Sequence, residues 1–241
     1  EIGYGINPKN GNVGLYNKTS YNIPGARTSL NFTHIYNSLS SRFFSQVNSI
    51  GAGWSHSYMA TLSTLGGRIY IVWPGGGVHR YNVSDLKPVT KGVYDILTKV
   101  SSTVYTVKKK DQFVYTFEIL NSTDSTAFLK TIQDRNNNTI TCNYINAQRK
   151  LTSITSQGRT LFFSYNIPGK PDLISEVTDP LGRSIRFLYD NDNNLIRFTD
   201  AKNQITQYQY IGENRFDHLL KKVIYPKGIL NSVENIYDST T

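Results

Sequence analysis

The sequence predicts an all-β protein built from consecutive antiparallel β-hairpins that form an extended, curved sheet. Three observations support this fold class. The composition combines 12% aromatic residues with only 18% charged residues, and aromatic and β-branched side chains fit a half-buried sheet. Short runs with period-two alternation are separated by turn-forming residues along the chain. A hairpin-length unit also recurs in the second half, and an internal repeat determines the architecture.

Residues 1–125 are predicted to form an N-terminal β region. Its strand candidates lie between clusters of turn-forming residues, and they are 13–16, 30–36, 68–73, 78–83, 93–100, 103–110 and 112–119, whereas 42–47 is ambiguous. A motif formed by Gly51, Gly53, Trp54 and Ser55 begins as a glycine-rich turn and leads into a further strand. The polar stretch 121–125 is the candidate boundary, and residues 126–241 carry the hairpin repeats.

The repeats are defined by a closing tyrosine that recurs every 21 to 27 residues. The aligned residues are Tyr144, Tyr165, Tyr189, Tyr210 and Tyr237. Before each of the first four, side chains suited to burial occur at two-residue spacing, so each tyrosine is expected on the same face as those residues. Because neighbouring strands lie about 4.8 Å apart, the tyrosines of adjacent units are expected to form a row across one face.

Turn chemistry recurs between the paired strands of the repeats. The turn residues are Asp134, Gly158, Asp179, Gly182 and Asp200. An aspartate side chain can accept a hydrogen bond from the backbone two residues further on, and glycine adopts positive φ without steric cost. The aspartates are therefore predicted to fix turns rather than to take part in acid–base chemistry.

Charge and composition restrict the classes of partner. The net charge of +9 would suit nucleic-acid binding, but only residues 108–110 form a lysine run. Asp111 follows that run, which is predicted to be a solvated hairpin turn, so nucleic acid is not the expected partner. No apolar run approaches membrane-spanning length. The sequence resembles an excerpt from a longer protein, so a targeting signal is expected outside it.

No set of residues has the spacing of a catalytic or metal centre. The histidines are His34, His56, His79 and His218, and none forms a metal-ligand pair in sequence. His56 follows Ser55, but a nucleophile elbow needs a glycine where Ser57 stands, and packing beside Trp54 is predicted instead. The single cysteine, Cys142, is in phase with the apolar side chains of its strand and is predicted to be buried. No enzyme activity, metal or cofactor is therefore predicted.

These repeats resemble the YD repeat of Rhs proteins, which teneurins and the C components of insecticidal toxin complexes share. The segment that carries the resemblance is Asp179-Pro180-Leu181-Gly182-Arg183-Ser184-Ile185-Arg186-Phe187-Leu188-Tyr189-Asp190, followed by residues 195–200. The upstream part resembles the N-terminal portion of bacterial Rhs cores through ordered motifs at Asn7-Pro8, Gly11-Asn12, Pro24-Gly25, 30–33, Tyr36-Asn37 and 51–55. The repeats depart from the pattern where Ile145, Ile211 and Asn166 replace the aspartate of the dipeptide.

The resemblance implies a structural function. In the family such repeats build a large hollow β-shell around a C-terminal toxin, so this chain would be a non-catalytic segment of the shell. The implied partners are the rest of the shell and an enclosed toxin polypeptide, and the implied route is secretion or cell-surface delivery by a bacterial secretion system. The alternative is an adhesive module that binds surface glycans, since exposed tyrosine and tryptophan faces stack on sugar rings. Packed repeat tyrosines would indicate framework, whereas an open groove lined by them would favour binding.

Overall fold

The computed structural model describes residues 2–7, 12–17, 20–25, 28–43, 48–212, 218–226 and 232–236. Regular structure in these ranges is β-strand, apart from one short α-helix and one 3-10 turn. The all-β prediction is therefore confirmed. In the part of the chain that the structure describes, no helix has the length and hydropathy needed to cross a membrane.

A small four-stranded sheet comes from the start of the chain. The first strands are Ile2–Asn7 (β1), Asn12–Asn17 (β2), Tyr21–Ile23 (β3), Leu30–Phe32 (β4), His34–Asn37 (β5) and Trp54–His56 (β6). The order in the small sheet is β1-β2-β5-β6, and β3 pairs with β4. A helix, α1, spans Ser38–Phe43. The ambiguous segment 42–47 begins in this helix, and its residues 44–47 lie outside the described ranges, as do Pro8 and Gly11 of the N-terminal motifs.

A long antiparallel sheet contains the rest of the strands. Its first strands are Thr61–Leu65 (β7), Arg68–Val72 (β8), Val78–Asn82 (β9), Ile96–Lys99 (β10), Val104–Lys108 (β11), Val114–Ile119 (β12), Thr126–Gln133 (β13), Thr139–Ile145 (β14), Lys150–Ser156 (β15) and Arg159–Ser164 (β16). The later strands are Glu176–Thr178 (β17), Ser184–Tyr189 (β18), Leu195–Thr199 (β19), Ile205–Tyr210 (β20), Leu220–Ile224 (β21) and Ser232–Glu234 (β22).

Strand order in the long sheet follows the sequence. The path runs from β10 to β22 without a crossover, and β7 to β9 branch from it through pairing of β7 with β13. Each paired strand is antiparallel to its neighbour, as in β18 with β19 and β19 with β20. The prediction of consecutive antiparallel hairpins in an extended sheet is thus confirmed.

The chain forms two compact units. One comprises Glu1–Tyr21, Phe32–His56 and Phe163–Thr241, and the other comprises Asn22–Asn31 and Ser57–Phe162. Both units combine segments from before and after residue 125. The compact units therefore follow a different division from the predicted sequence regions 1–125 and 126–241.

Each unit has an apolar core formed by alternating side chains. In the first unit the fully buried large residues include Phe32, Tyr36 and Trp54. In the second unit Ile69 and Ile71 of β8 point inward with two-residue spacing, because successive strand side chains face opposite sides. The same alternation buries the inward faces of the repeat strands, as in the pattern of β18.

Candidate functional site

Three repeat tyrosines share one hydrogen-bond geometry. In each, the hydroxyl group donates to the main-chain carbonyl 15 residues earlier: Tyr144 to Leu129 at 2.9 Å, Tyr189 to Ile174 at 2.8 Å, and Tyr210 to Leu195 at 2.8 Å. The Asn235 side-chain amide donates to the Leu220 carbonyl at 2.6 Å with the same separation. The polar ends of these side chains are therefore held by the protein backbone.

The strand that follows each of these three tyrosines contains one extra residue, which is Thr152, Ile196 or Lys221. The strand register shifts at Asn143/Tyr144, Leu188/Tyr189 and Gln209/Tyr210, and the three tyrosines are then paired with Leu151, Leu195 and Leu220. The extra residue of such a β-bulge is left unpaired, and the strand that contains it bends. Leu195 consequently takes part in two units, because it is paired with Tyr189 and its carbonyl accepts the Tyr210 hydroxyl. The tyrosines thus link successive hairpins.

The other two predicted repeat tyrosines differ in what can be described. Tyr165 is half-buried just after β16, and burial raises its pKa, with the nearby Asp172 carboxylate as a second cause. Burial likewise raises the pKa of Tyr189 and of Tyr210, which keeps both hydroxyl groups protonated as donors. Tyr237 lies outside the described residues.

Four turns repeat one aspartate geometry. The carboxylate accepts hydrogen bonds from the N–H groups two and four residues further on: Asp134 at 2.8 and 2.9 Å, Asp179 at 2.9 and 3.0 Å, Asp190 at 3.0 and 2.8 Å, and Asp200 at 2.8 and 2.8 Å. The residue three positions after each aspartate has left-handed φ. These residues are Asn137, Gly182, Asn193 and Asn203. Asp190, the aspartate of the Tyr189-Asp190 dipeptide, has this geometry too, and its Asp-x-x-Asn spacing matches that of Asp134.

Two of these carboxylates, Asp134 and Asp179, are stabilised in the charged form. The pKa of Asp134 is lowered, chiefly by the hydrogen bond from the Asn138 side chain. For Asp179, burial raises the pKa, but hydrogen bonds from Tyr21 and Arg183 outweigh it and the net shift is downward. Gly158 lies in a different turn, the two-residue connection between β15 and β16, with φ of 73°.

The predicted motif at residues 51–55 lies against the repeat strands within the first unit. Gly51 has φ of 97°, and a Cβ atom there would lie 2.8 Å from the Asn193 carbonyl oxygen. The Ala52 N–H donates to the same carbonyl at 3.1 Å. The Trp54 indole N–H donates to the Tyr210 hydroxyl at 2.8 Å. The motif is therefore joined to the Asp190 turn and to a repeat tyrosine.

The remaining motif residues connect the strands of the small sheet. The Gly53 carbonyl accepts a hydrogen bond from the Asn37 N–H at 2.9 Å, and Gly53 has φ of 75°. The Ser55 hydroxyl donates to the Ile35 carbonyl at 3.5 Å. Tyr36, in the neighbouring strand, accepts from the Leu220 N–H at 2.9 Å and donates to the His218 carbonyl at 2.9 Å.

Two buried histidines complete this aromatic cluster. The His34 ring lies between the Ser20 hydroxyl at 2.6 Å and the Tyr208 hydroxyl at 3.0 Å, and its centroid is 5.2 Å from that of Trp54. His56 stacks on Phe32 at 5.3 Å between ring centroids. Burial lowers the pKa of each histidine to about 3. Both rings are therefore neutral near pH 7, and the His34 ring packs against Trp54.

The second unit contains the other reactive side chain considered from the sequence. Cys142 is fully buried, and burial raises the pKa of its thiol to about 12, so its thiolate population is negligible near neutral pH. Among the residues described, no three His, Cys, Asp or Glu side chains are grouped so that they could hold a metal ion.

Comparisons with known proteins find a family match for part of the N-terminal region. Residues 3–81 match the family described as "Domain of unknown function (DUF6531)", and such domains typically precede Rhs/YD repeats. No curated protein matches the chain. Solved structures also match, among them the crystal structure of TcdB2-TccC3, with a TM-score of 0.46 and 13% identity, and a Photorhabdus luminescens Tc holotoxin pore with a mutated TccC3, with a TM-score of 0.44 and 13% identity. Each match covers 97% of this chain and 16% of the other.

The chain therefore spans only a small part of the solved proteins that it matches. The family match ends within the strand β9, and the tyrosine-linked hairpins follow it in the sequence. The DUF6531 match, together with these hairpins, confirms the predicted resemblance to Rhs cores with YD repeats.

Proposed function

We propose that this chain is a non-catalytic structural segment of an Rhs-type β-shell that encloses and helps to deliver a C-terminal toxin polypeptide. Its partners would be the remaining shell segments and the enclosed polypeptide, and the assembly would be secreted or delivered to a cell surface. One observation carries the proposal. The repeat tyrosine hydroxyls are bound by backbone carbonyls 15 residues earlier in their own hairpins, while the tyrosines themselves pair with the first strand of the next hairpin.

The chemistry of the described side chains supports a structural role. His34 and His56 are neutral and packed among aromatic rings, and the Asp134, Asp179 and Asp200 carboxylates accept backbone N–H groups within their own turns. These groups are committed to packing and turn formation. The burial of these side chains also speaks against the glycan-binding alternative, which needs open tyrosine faces: Tyr189 is buried, and Tyr144, Tyr165 and Tyr210 are half-buried.

Protease resistance in the complete protein tests the enclosure proposal. We expect the segment that follows the repeats to resist digestion under native conditions, because a closed wall excludes a protease. The same segment expressed alone is the control and should be cleaved rapidly. Rapid cleavage of the segment within the native, complete protein would contradict enclosure.

The proposed secretion is tested separately, by looking for the intact protein in the culture medium.

A further inference from the structure

The long sheet has an open edge at β10, within the second unit. Among the described strands, β10 pairs only with β11. The Val100 N–H donates to the Val104 carbonyl at the start of β11 at 2.9 Å. Along an antiparallel strand, every second residue directs its N–H and C=O groups to the same neighbour. Thr98 and Ile96 therefore direct their backbone groups to β11. Leu97 and Lys99 direct theirs outward, where no described residue pairs with them.

The other edge of this region is closed. Residues that follow β9 fold back along it, so that the Val89 N–H donates to the Arg80 carbonyl at 2.7 Å and the Asn82 N–H donates to the Lys87 carbonyl at 3.0 Å. Covering an edge with a loop is a usual protection against unwanted strand pairing. The β10 edge lacks this cover in the described ranges, so it can accept a partner strand.

An open depression adjoins this edge. It is lined by Tyr94, Ile96, Lys108, Lys109, Lys110 and Gln112. Tyr94 is 78% exposed and Ile96 is 63% exposed, which is unusual for two large side chains so close in sequence. Ile96 lies directly opposite Lys108 in the strand register, so the two side chains share one face of the sheet. The depression therefore combines an apolar surface with ammonium groups.

The charge at this edge is positive. The charged side chains are Lys99, Lys108, Lys109, Lys110, Asp95 and Asp111. Lys109 is 3.7 Å from the Asp95 carboxylate and lies over the Trp73 ring, so its charge is already engaged. Lys108 and Lys110 are exposed and have no ion pair among the described residues. A partner that bonds to this edge should therefore carry negative charge.

We propose that the β10 edge and the adjoining depression form a docking site for an extended acidic peptide. The peptide would add a strand by pairing with the outward backbone groups of Leu97 and Lys99. Its apolar side chains would cover Tyr94 and Ile96, and its carboxylates would meet Lys108 and Lys110. This site is independent of the tyrosine-linked repeats and of the proposed enclosure function.

The probe for this site is a synthetic peptide of about six residues, the usual length of a strand. Glutamate alternates with valine or tyrosine along this peptide. With the full chain we expect saturable binding and slower hydrogen exchange of the Leu97 and Lys99 amides. The double variant Lys108→Glu/Lys110→Glu should weaken binding about tenfold, since it reverses two charge contacts. The matched control, Lys87→Glu/Lys202→Glu, makes the same charge change at exposed lysines elsewhere and should leave the affinity unchanged.

Three results would overturn the proposal. One is equal weakening by the two double variants, which would indicate attraction by net charge alone. Another is equal affinity for a glutamate-only peptide of the same length, because the apolar contacts would then contribute nothing. The third is protection of the Leu97 and Lys99 amides that grows with protein concentration in the absence of peptide, which would make a second copy of this chain the occupant.

Discussion

Gly51 shows how a single residue can fix the position of the N-terminal motif. A Cβ atom at this position would lie 2.8 Å from the Asn193 carbonyl oxygen, and φ is 97°. We expect Gly51→Ala to lower the free energy of unfolding by about 2–4 kcal/mol, because it combines backbone strain with a steric clash. Urea denaturation measures the change.

The control for this substitution is Gly66→Ala. Gly66 also has positive φ, at 56°, but a Cβ atom there would have nothing within 4 Å. This variant should lose about 1 kcal/mol, from backbone strain alone. Equal losses in the two variants would show that the approach of Asn193 to Gly51 does not constrain the fold.

The buried histidines predict a dependence of stability on pH. Burial lowers the pKa of His34 and of His56 to about 3, whereas an unfolded histidine titrates near 6.5. Below pH 6.5 the two histidines bind protons in the unfolded state, whereas in the folded state they stay neutral. As the pH falls below 6.5, the free energy of unfolding should therefore decrease by up to about 1.4 kcal/mol per pH unit for each histidine.

Unfolding curves between pH 7.5 and pH 5 measure this effect before ordinary carboxylates titrate. His34→Gln and His56→Gln should each reduce the slope of stability against pH, whatever they do to stability at pH 7.5. His218→Gln, in the half-buried segment near β21, is the comparison variant. An unchanged slope in both His34→Gln and His56→Gln would mean that these rings do not remain neutral in the folded state.

At the scale of the element, the contribution of a repeat tyrosine to stability should grow with the number of hydrogen bonds that its hydroxyl group makes. Tyr210→Phe removes a donor to the Leu195 carbonyl and an acceptor for the Trp54 indole. Tyr189→Phe removes one donor, to the Ile174 carbonyl. We expect losses of about 2–4 kcal/mol for Tyr210→Phe and about 1–2 kcal/mol for Tyr189→Phe, since each abandoned buried polar group has a cost. Thermal and urea unfolding should give the same order, and the reverse order would contradict the assigned bonds.

The turn aspartates give a second prediction for an element. Asp200 accepts the N–H groups of Lys202 and Gln204, each at 2.8 Å. Asp200→Ala should lower stability by about 1–2 kcal/mol, because the turn loses two charge-assisted hydrogen bonds. Asp192→Ala replaces an exposed aspartate within the adjacent turn and should change stability by less than about 0.5 kcal/mol. Hydrogen exchange at the Lys202 and Gln204 amides would locate the effect.

Strands and turns could be predicted because their signals are local. Alternation predicted β8 and β9 at residues 68–73 and 78–83, and Asx chemistry predicted the turn at Asp179. The helix α1 was missed although Asn37 carries a recognisable signal, since its side chain accepts the N–H groups of Leu39 and Ser40 at the helix start. The bulges opposite the tyrosines were not predicted, although each one breaks the alternation of its own strand: the buried residues are Leu195 and Phe198 in β19 and Leu220 and Val223 in β21, three positions apart.

At the scale of the whole molecule, the sequence predicted the fold class. It did not predict which residues far apart in the chain bond to each other. The Trp54–Tyr210 bond joins residues separated by 156 positions, and no periodic signal connects them. The same limitation applies to His34 and Tyr208, which are 174 positions apart. Each motif was recognised in its own segment, but its partner depends on packing of the complete unit.

The composition of the two units leads to a prediction about separated halves of the chain. Each compact unit uses segments from both sides of residue 125, so residues 126–241 expressed alone would lack Trp54 and Tyr36, which bond to Tyr210 and Leu220. We expect this fragment to unfold without a cooperative transition and to bind a hydrophobic dye, because the buried faces of β18 to β21 would be uncovered. Mixing it with residues 1–125 should restore cooperative unfolding.

A cleavable version of the full chain separates chain continuity from packing. A protease site placed at the exposed residues 122–123 cuts the backbone after folding, so both halves begin in their native arrangement. We expect the two fragments to remain associated in gel filtration without denaturant and to separate in urea, since each unit is held together by noncovalent contacts between segments from both fragments. If the fragments separated without denaturant and each still unfolded cooperatively, then 1–125 and 126–241 would be independent domains, as the polar stretch at 121–125 first suggested.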